Sequence, residues 1–295
     1  MQQPGRATRL VPKPGAIVLS GSYRDRMDST PPEPRPLANR WPEGIGPDGQ
    51  PIQRERCTCF DQYEVRPRAR VGFHTEQQDT SSPGWLRLLT LVDEAAADGR
   101  AEFNPLVELS PQERRDVISL PASIGRLTEV RHLRLYGSNL VRIPPEIGAM
   151  TNLEEFSPYT SHRLHWFPYE ITRCSKLVRS TVSTRSLFGN VKLRPPFPRL
   201  RDAGEVDPGS GLTALDPEKW GTTGISTCSV CDGPLVGPEL HQRWISRVVA
   251  TDVLPLLVNA CSAACVAALP PGAARHAPGP HTGGPDVAQP SADWA

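Results

Sequence analysis

The chain has 295 residues, of which 33 are proline and 38% are hydrophobic, and its formal net charge is +1. A charge so close to zero gives no general argument for binding nucleic acid or an acidic membrane. No run of about 18 apolar residues is present, and the N-terminus lacks the apolar segment of a secretory signal. Seven cysteines, four of them in two close pairs, favour a reducing cytoplasm over a disulfide-stabilised secreted fold.

Residues 1–80 are rich in proline, arginine, glutamine and glycine, and the stretch at 31–36 is typical of them. Such a composition buries too little apolar surface to offset the entropy lost on ordering, so this arm is predicted to be largely disordered. Cys57 and Cys59 lie within it. A CxC pair alone is a weak metal motif, and a free pair of thiols is the expected state.

Two helices are predicted between the arm and the rest of the chain. Ser82-Pro83 is typical of a helix start, and Gly99 of a helix end. A single apolar face lies between them, formed by Trp85, Leu88, Leu89, Val92 and Ala96. A second start at Ser110, with Glu113 three residues later, fits a capping box. The first helix is expected to cap the open apolar end of the domain that follows.

An apolar pattern then repeats with a period of about 23 residues. Leu120-Pro121, Ile143-Pro144 and Phe167-Pro168 begin three copies, and the isoleucines that follow are Ile124, Ile147 and Ile171. A strand follows in each copy, with the pattern of Leu133-x-Leu135 or Leu153-x-x-Phe156. This period is the signature of leucine-rich repeats, in which each repeat contributes one strand and one short return segment.

The copies depart from a regular repeat in two ways. The turn after the strand, where asparagine is expected, holds Ser138, Ser161 and Arg185, with Asn139 one residue late. The second copy also has one extra residue before Phe167. The predicted stack is therefore short and irregular, and three turns are close to the minimum for stability.

Two stretches carry a family resemblance. Leu-Pro-x-x-Ile-Gly-x-Leu from Leu120, and Ile-Pro-Pro-Glu-Ile-Gly-x-Met-Thr-Asn-Leu-Glu from Ile143, resemble the typical 23-residue class of leucine-rich repeat proteins. The resemblance covers about a quarter of the chain. It implies a right-handed α/β solenoid used for protein–protein contact, and it carries over no catalytic residue.

The outward positions of the predicted strands form a candidate partner surface. Two tyrosines occupy the same register on neighbouring strands, and residues of positive and negative charge lie beside them. This composition is typical of protein-binding patches. An ordinary solvated sheet face is the alternative interpretation. The residues concerned are His132, Arg134, Tyr136, Glu155, Ser157, Tyr159, Arg179 and Thr181.

A linker at 202–218 and a small module at 219–270 are predicted to follow the repeat domain at 82–200, with a disordered tail at 271–295. The module contains two cysteine pairs, Cys228 with Cys231 and Cys261 with Cys265. Four thiolates at this spacing favour a closed, tetrahedral zinc site that supports folding rather than chemistry. Two thiol pairs without metal, a redox CxxC motif and a ligand role for His241 are the weaker alternatives.

The module combines a CxxC knuckle, a β-rich stretch between the pairs and a helix-forming segment after Cys261. This order is similar to a treble-clef zinc finger, and the Cys-Ser-x-x-Cys ending resembles the FCS-type fingers. The resemblance covers about 45 residues. It implies a structural zinc ion bound by Cys228, Cys231, Cys261 and Cys265.

Two further sets of residues have ordinary structural interpretations. Cys174 occupies the place of Leu127 and Met150 in the other copies, so it is expected to be a buried apolar side chain rather than a nucleophile. His162, His165, Trp166 and Glu170 suggest an acid–base set, but no nucleophile with a positioned base can be identified among them.

These observations favour a non-catalytic protein–protein interaction or scaffold protein with a structural zinc site. A nucleic-acid-associated regulator is the alternative from another class, although residues 219–270 carry only Lys219, Arg243 and Arg247 as cations. An enzyme whose site lies in the N-terminal arm is a third possibility.

Overall fold

The computed structural model describes residues 73–74, 76–189, 197–200, 226–235, 240–284 and 286–287. All of them belong to one compact unit of mixed α/β structure. Within these ranges every helix is too short or too polar to cross a lipid bilayer. The predictions made for residues 1–72, for Cys57 and Cys59, and for the linker at 202–218 lie outside the described residues.

The first helix, α1 (Pro83–Asp98), begins and ends where the sequence indicates. Ser82 Oγ accepts a hydrogen bond from the backbone of Trp85 at 3.4 Å, and Gly99 ends the helix with a φ of 65°. The buried face is turned slightly from the predicted one, because Leu89 and Ala96 are only half-buried. Its members are Trp85, Leu88, Leu91, Val92 and Ala95.

The second helix, α2 (Pro111–Asp116), has the predicted capping box. The Ser110 N–H donates to Glu113 Oε2 at 2.7 Å, and the Glu113 N–H donates to Ser110 Oγ at 3.3 Å. The two helices approach closely at Gly84, where an added Cβ would lie 2.2 Å from the carbonyl oxygen of Glu113. Glycine is therefore required at this crossing.

Four short parallel strands form the first sheet, in the order β1 (Glu102–Phe103), β2 (His132–Arg134), β3 (Glu155–Ser157) and β5 (Arg179–Ser180). They pair in strict register, so that Leu133 lies opposite Phe156 and Phe156 opposite Ser180. Partners are 23 residues apart between β2 and β3, 24 between β3 and β5, and 30 between β1 and β2. The positions of β2, β3 and β5 therefore agree with the predicted strands. We call these strands and the segments that join them, at 101–189, the stack.

The return segments of the stack are short 3₁₀ helices at Ala122–Arg126, Pro145–Ala149 and Tyr169–Arg173. The isoleucine of each lies in the core. The glycine after the isoleucine has a steric cause, since an added Cβ at Gly148 would lie 2.7 Å from the carbonyl oxygen of Glu170. The glycine of the Ile-Gly pattern therefore lies where successive return segments approach each other closely.

Serines bridge the turns that follow the strands, and Asn139 also donates to the Arg115 carbonyl oxygen at 3.2 Å. Ser138 Oγ and Ser161 Oγ lie 2.6 Å apart, and Ser161 Oγ donates to the carbonyl oxygen of Leu135 at 3.1 Å. In the third turn this place belongs to Ser186 and not to Arg185, which corrects the prediction by one residue. Buried hydroxyl groups thus satisfy backbone carbonyls between neighbouring turns.

A long antiparallel hairpin, formed by β6 (His241–Val249) and β7 (Asp252–Ala260), precedes the short helix α3 (Ala263–Ala267). The sequence predicted the hairpin within a separate module. Instead β4 (Phe167–Pro168), from the stack, pairs in parallel with Leu256–Leu257 of β7. The hairpin and the stack therefore share a three-stranded sheet.

One hydrophobic core extends through both regions. It includes six apolar residues of the repeat pattern, and it also contains Ile245, Leu254 and Leu256 of the hairpin. The apolar face of α1 belongs to the same core, as predicted for a cap. The six residues of the repeat pattern are Leu133, Leu135, Ile147, Leu153, Phe156 and Ile171.

The turn of the hairpin closes the outer edge of the stack at β5. Thr251 Oγ1 accepts from the Ser180 N–H at 3.1 Å and donates to the Ser180 carbonyl oxygen at 2.7 Å. Ser180 Oγ also donates to Asp252 Oδ2 at 2.8 Å. An exposed edge strand invites pairing with other chains, and here the edge groups are occupied by one threonine.

The C-terminal segment differs from the prediction of a disordered tail from residue 271. Residues 271–284 lie along β6, where Trp244 and His281 exchange backbone hydrogen bonds of 2.8 and 3.0 Å. This segment borders a second, aromatic core. Its members are Trp166, Phe188, Phe197, Leu200, Trp244 and Leu257.

Candidate metal centre

The first cysteine pair lies on a tight turn. The Asp232 N–H donates to the Cys228 carbonyl oxygen at 3.1 Å, and the Cys228 N–H donates to the Gly233 carbonyl oxygen at 2.8 Å. Asp232 has a φ of 62°, a left-handed conformation that aspartate tolerates better than most residues. This turn brings the side chains of Cys228 and Cys231 to the same side.

The second pair lies where the hairpin ends. Cys261 follows β7 directly, and α3 begins two residues after it, within the helix-forming segment that the sequence indicates. Cys265 is within α3, and its N–H donates to Oγ of the N-cap residue Ser262 at 3.2 Å. The N-cap thus fixes the position of Cys265 relative to Cys261.

The sulfur atoms of all four cysteines lie within 4.8 Å of one another. Cys261 Sγ is 3.6 Å from Cys231 Sγ and 3.5 Å from Cys265 Sγ. A tetrahedral ion with metal–sulfur bonds of about 2.3 Å separates its ligands by about 3.8 Å. We call these four residues the cysteine cluster, and its geometry can hold one metal ion. His241 lies instead at the start of β6, opposite Ala260.

The thiols of the cluster differ in how easily they ionise. Backbone N–H groups of Val230 and Cys261 lie 3.4 Å from Cys228 Sγ. Burial alone would raise the pKa of Cys228, but these groups and the N–H of Cys231 outweigh it and lower the pKa to about 7. Hydrogen bonding with neighbouring thiols, first that of Cys265, raises the pKa of Cys261 to about 12. A bound cation would be needed to hold all four as thiolates.

The cysteine cluster is tied to the stack through polar contacts that the sequence did not indicate. Glu170 hydrogen-bonds the side chain of Ser229, which lies between the first two cysteines. Arg173 donates to the Ser229 carbonyl oxygen at 3.1 Å and forms an ion pair with Asp232. The Ser229 hydroxyl also accepts from the Asn259 N–H at 2.9 Å. The knuckle is thus held between the last return segment of the stack and β7.

Comparison with protein-family models, curated proteins and solved structures gave no match to this chain. Function is therefore inferred from the geometry of the chain itself. The other residues that the sequence singles out lie outside the cysteine cluster.

Cys174 is buried, as predicted for an apolar position. Its thiol donates to the Ile147 carbonyl oxygen at 3.3 Å, and burial raises its pKa to about 12. A thiol held in its neutral form is a poor nucleophile.

The members of the suggested acid–base set lie in different surroundings. His162 is exposed, whereas His165 is buried with Nδ1 2.6 Å from the Ser186 carbonyl oxygen. Glu170 is engaged with Ser229, and Trp166 belongs to the aromatic core. These partners are those of structural side chains.

The candidate partner surface is aligned as the strand register predicts. The rings of Tyr136 and Tyr159 lie 5.7 Å apart at an interplanar angle of 45°. Arg134 pairs with Glu102 at 3.0 Å, and Glu155 pairs with Arg179, so the charges compensate one another within the surface. All eight predicted residues are exposed or half-buried, and we call this set the tyrosine face. They are His132, Arg134, Tyr136, Glu155, Ser157, Tyr159, Arg179 and Thr181.

Proposed function

We propose that this protein is a non-catalytic scaffold of the leucine-rich repeat type that binds another protein through the tyrosine face. The observation that carries the proposal is the alignment of Tyr136 with Tyr159 on neighbouring strands whose other side is a continuous core. Rigid aromatic side chains on a sheet surface are common anchors of protein interfaces because little entropy is lost when they are buried.

The repeat assignment is supported by the stack itself. Strands β2, β3 and β5 are parallel and in register at intervals of 23 and 24 residues, and each is preceded by a 3₁₀ segment with a buried Ile. A repeat of this length with one strand and one return segment is the pattern of leucine-rich repeats. A solenoid of this kind displays an extended strand surface, which suits recognition of a macromolecule better than enclosure of a small substrate.

For the cysteine cluster we propose a structural zinc ion. Zinc binds four thiolates in a tetrahedron, and such a site has no open position for a substrate or a reactive water. A bound zinc ion would cross-link the knuckle to the end of the hairpin, and it would take no part in a reaction. The contacts of Arg173 and Glu170 with the knuckle would pass this constraint to the last turn of the stack.

The tyrosine face has properties of a protein interface rather than of a nucleic-acid interface. Its arginines, Arg134 and Arg179, are each paired with a glutamate of the same sheet. A phosphate backbone would require uncompensated cations. A neutral surface with two aromatic rings at its centre instead favours a protein partner of mixed polar and apolar character.

The test is capture of a partner from native lysate by the wild-type protein, followed by the same experiment with Tyr136→Ala/Tyr159→Ala. Loss of two aromatic anchors is expected to cost about 2 kcal/mol or more in binding, while the unfolding temperature stays almost unchanged. Leu86→Ala is the matched control, because Leu86 is 52% exposed on α1, outside the sheet. Equal capture by the double variant and the wild type would contradict the proposal.

A further inference from the structure

A short segment that the sequence assigns to the disordered arm lies against one edge of the stack. This edge is formed by the loops between the strands and the return segments, and we call it the loop edge. Its described residues are 73–74 and 76–78, and we call them the anchor segment. At its C-terminal end, Gln78 donates to the Asp116 carbonyl oxygen at 2.7 Å and accepts from the N–H of Ile118 at 2.9 Å. The side chain thereby makes both kinds of hydrogen bond with the backbone at the start of the stack.

Two residues further toward the N-terminus, Glu76 lies against two buried arginines. Its carboxylate forms an ion pair with Arg163, and its carbonyl oxygen accepts from Arg142 Nη2 at 2.5 Å. Arg142 and Arg163 are only 4% and 8% exposed, although they belong to different turns of the stack. Burial lowers the pKa of Arg142 to about 9, against the opposing effect of the Glu76 charge. Buried cations of this kind are stable only when an anion accompanies them.

The N-terminal end of the segment is aromatic. The His74 ring stacks on the His165 ring at a centroid distance of 5.1 Å. Phe73 stacks on Trp244 of the hairpin at 5.6 Å and meets the edge of Trp166 at 6.0 Å. Phe73 is only partly buried, and it packs against the surface of the aromatic core that joins the stack to the hairpin.

The anchor segment thus meets a row of separate subsites along the chain. One takes an aromatic ring, one an imidazole, one a carboxylate and one a primary amide, and the contacts named here are made largely by side chains. The main core is closed by α1, the strands and the return segments, and no residue of the anchor segment is part of it. This arrangement is that of a peptide bound in a groove rather than of an element of the core.

We propose that this loop edge is a peptide-binding site, occupied within the same chain by the anchor segment. Its partner in another chain would be a peptide with an aromatic side chain three residues before an acidic one, as Phe73 stands before Glu76. The acidic residue would pair with Arg163, and the aromatic side chain would enter the site between Trp166 and Trp244. This site is distinct from the tyrosine face and does not depend on it.

The experiment uses the full chain with a specific protease site inserted between Asp79 and Ser82. After cleavage, a fluorescent peptide of residues 70–80 is added, and binding is followed by anisotropy. Saturable binding is expected, because the covalently tethered segment is replaced by a free one. The uncut protein should bind the peptide at least tenfold more weakly, since a tethered competitor acts at an effective concentration of about millimolar.

Two variant peptides test the assigned contacts without any risk to the fold of the protein. Glu76→Gln and Phe73→Ala in the peptide should each weaken binding at least tenfold, while Thr80→Ala should leave it unchanged. Loss of the near-ultraviolet circular dichroism spectrum on cleavage would show that the segment is part of the fold, and would overturn the proposal. So would a folded, cleaved protein that fails to bind the peptide, or one that binds all four peptides equally.

Discussion

The stack and the hairpin with its cysteine cluster are stabilised in different ways. In the stack, each turn repeats the same local contacts, such as the buried isoleucines and the bridge between Ser138 and Ser161. The hairpin depends on the pairing of its own two strands and also on long-range contacts, since β7 pairs with β4 and the cysteine cluster joins residues about 30 positions apart. The stack is thus a regular repeat, and its last, irregular turn is completed by the hairpin, which has a different architecture.

The largest expected effect distinguishes one shared core from two independent ones. Leu133 is fully buried in the middle of the stack, so Leu133→Ala should cost about 2–5 kcal/mol in the free energy of unfolding. Because the core continues into the hairpin, both regions should unfold in one transition. Chemical denaturation followed by far-ultraviolet circular dichroism and by tryptophan fluorescence checks this.

Leu86→Ala is the control for that experiment, because the side chain is exposed and its removal should cost less than about 0.5 kcal/mol. Two separate transitions in the Leu133→Ala variant, with the hairpin still folded after the first, would show that the regions are independent.

A smaller effect is expected where the hairpin turn meets the stack. Thr251→Val removes the hydroxyl that bonds both backbone groups of Ser180, and it should destabilise the protein by about 1–2 kcal/mol. Thr90→Val is the matched control, since Thr90 makes a single exposed hydrogen bond to the Leu86 carbonyl oxygen. Equal unfolding temperatures for the two variants would mean that the turn does not close the sheet edge.

The smallest effect concerns the buried carboxyl group of Glu170, beside the knuckle. Its Oε2 has no hydrogen-bond partner in the described part of the chain, and burial raises its pKa. A raised pKa in the folded state means that stability is fully present below the unfolded-state pKa and is lost as the pH rises through the folded-state value. Glu170→Gln should therefore be more stable than the wild type at pH 7, by about 1 kcal/mol.

That advantage should shrink as the pH is lowered toward 4.5, the ordinary pKa of a glutamate side chain. Unfolding curves at several pH values measure it, with the exposed Glu94→Gln as control. A Glu170→Gln variant that is less stable than the wild type at every pH would show that the charge itself is required for the knuckle.

Much of the stack could be predicted from the sequence because its signals are local. The caps of α1 and α2 and the strand positions depend on residues close together in the chain, and so does each of the two cysteine pairs taken by itself. The prediction placed Arg185 in the position that Ser186 occupies in the structure. The third turn differs in spacing from the other two, so comparison with them could not fix its register.

The connection of the hairpin to the stack could not be predicted in the same way. It depends on the pairing of Phe167-Pro168 with Leu256-Leu257. These two segments are far apart in the sequence, and no short sequence pattern predicts that they pair. The composition of residues 1–80 as a whole, which is polar and rich in proline, predicts disorder for Phe73 and Glu76. In the structure, a few specific contacts of these side chains with buried partners outweigh the effect of that average composition.

The most direct test of the account is hydrogen exchange of the zinc-loaded protein before and after removal of the metal with a chelator. If the cysteine cluster completes the end of the stack, removal should increase exchange in the hairpin and also in Tyr169–Arg173, β5 and β3, with α1 affected least. Cys261→Ser should show the faster exchange without chelator. Increased exchange confined to 226–269, with the stack unchanged, would contradict the account.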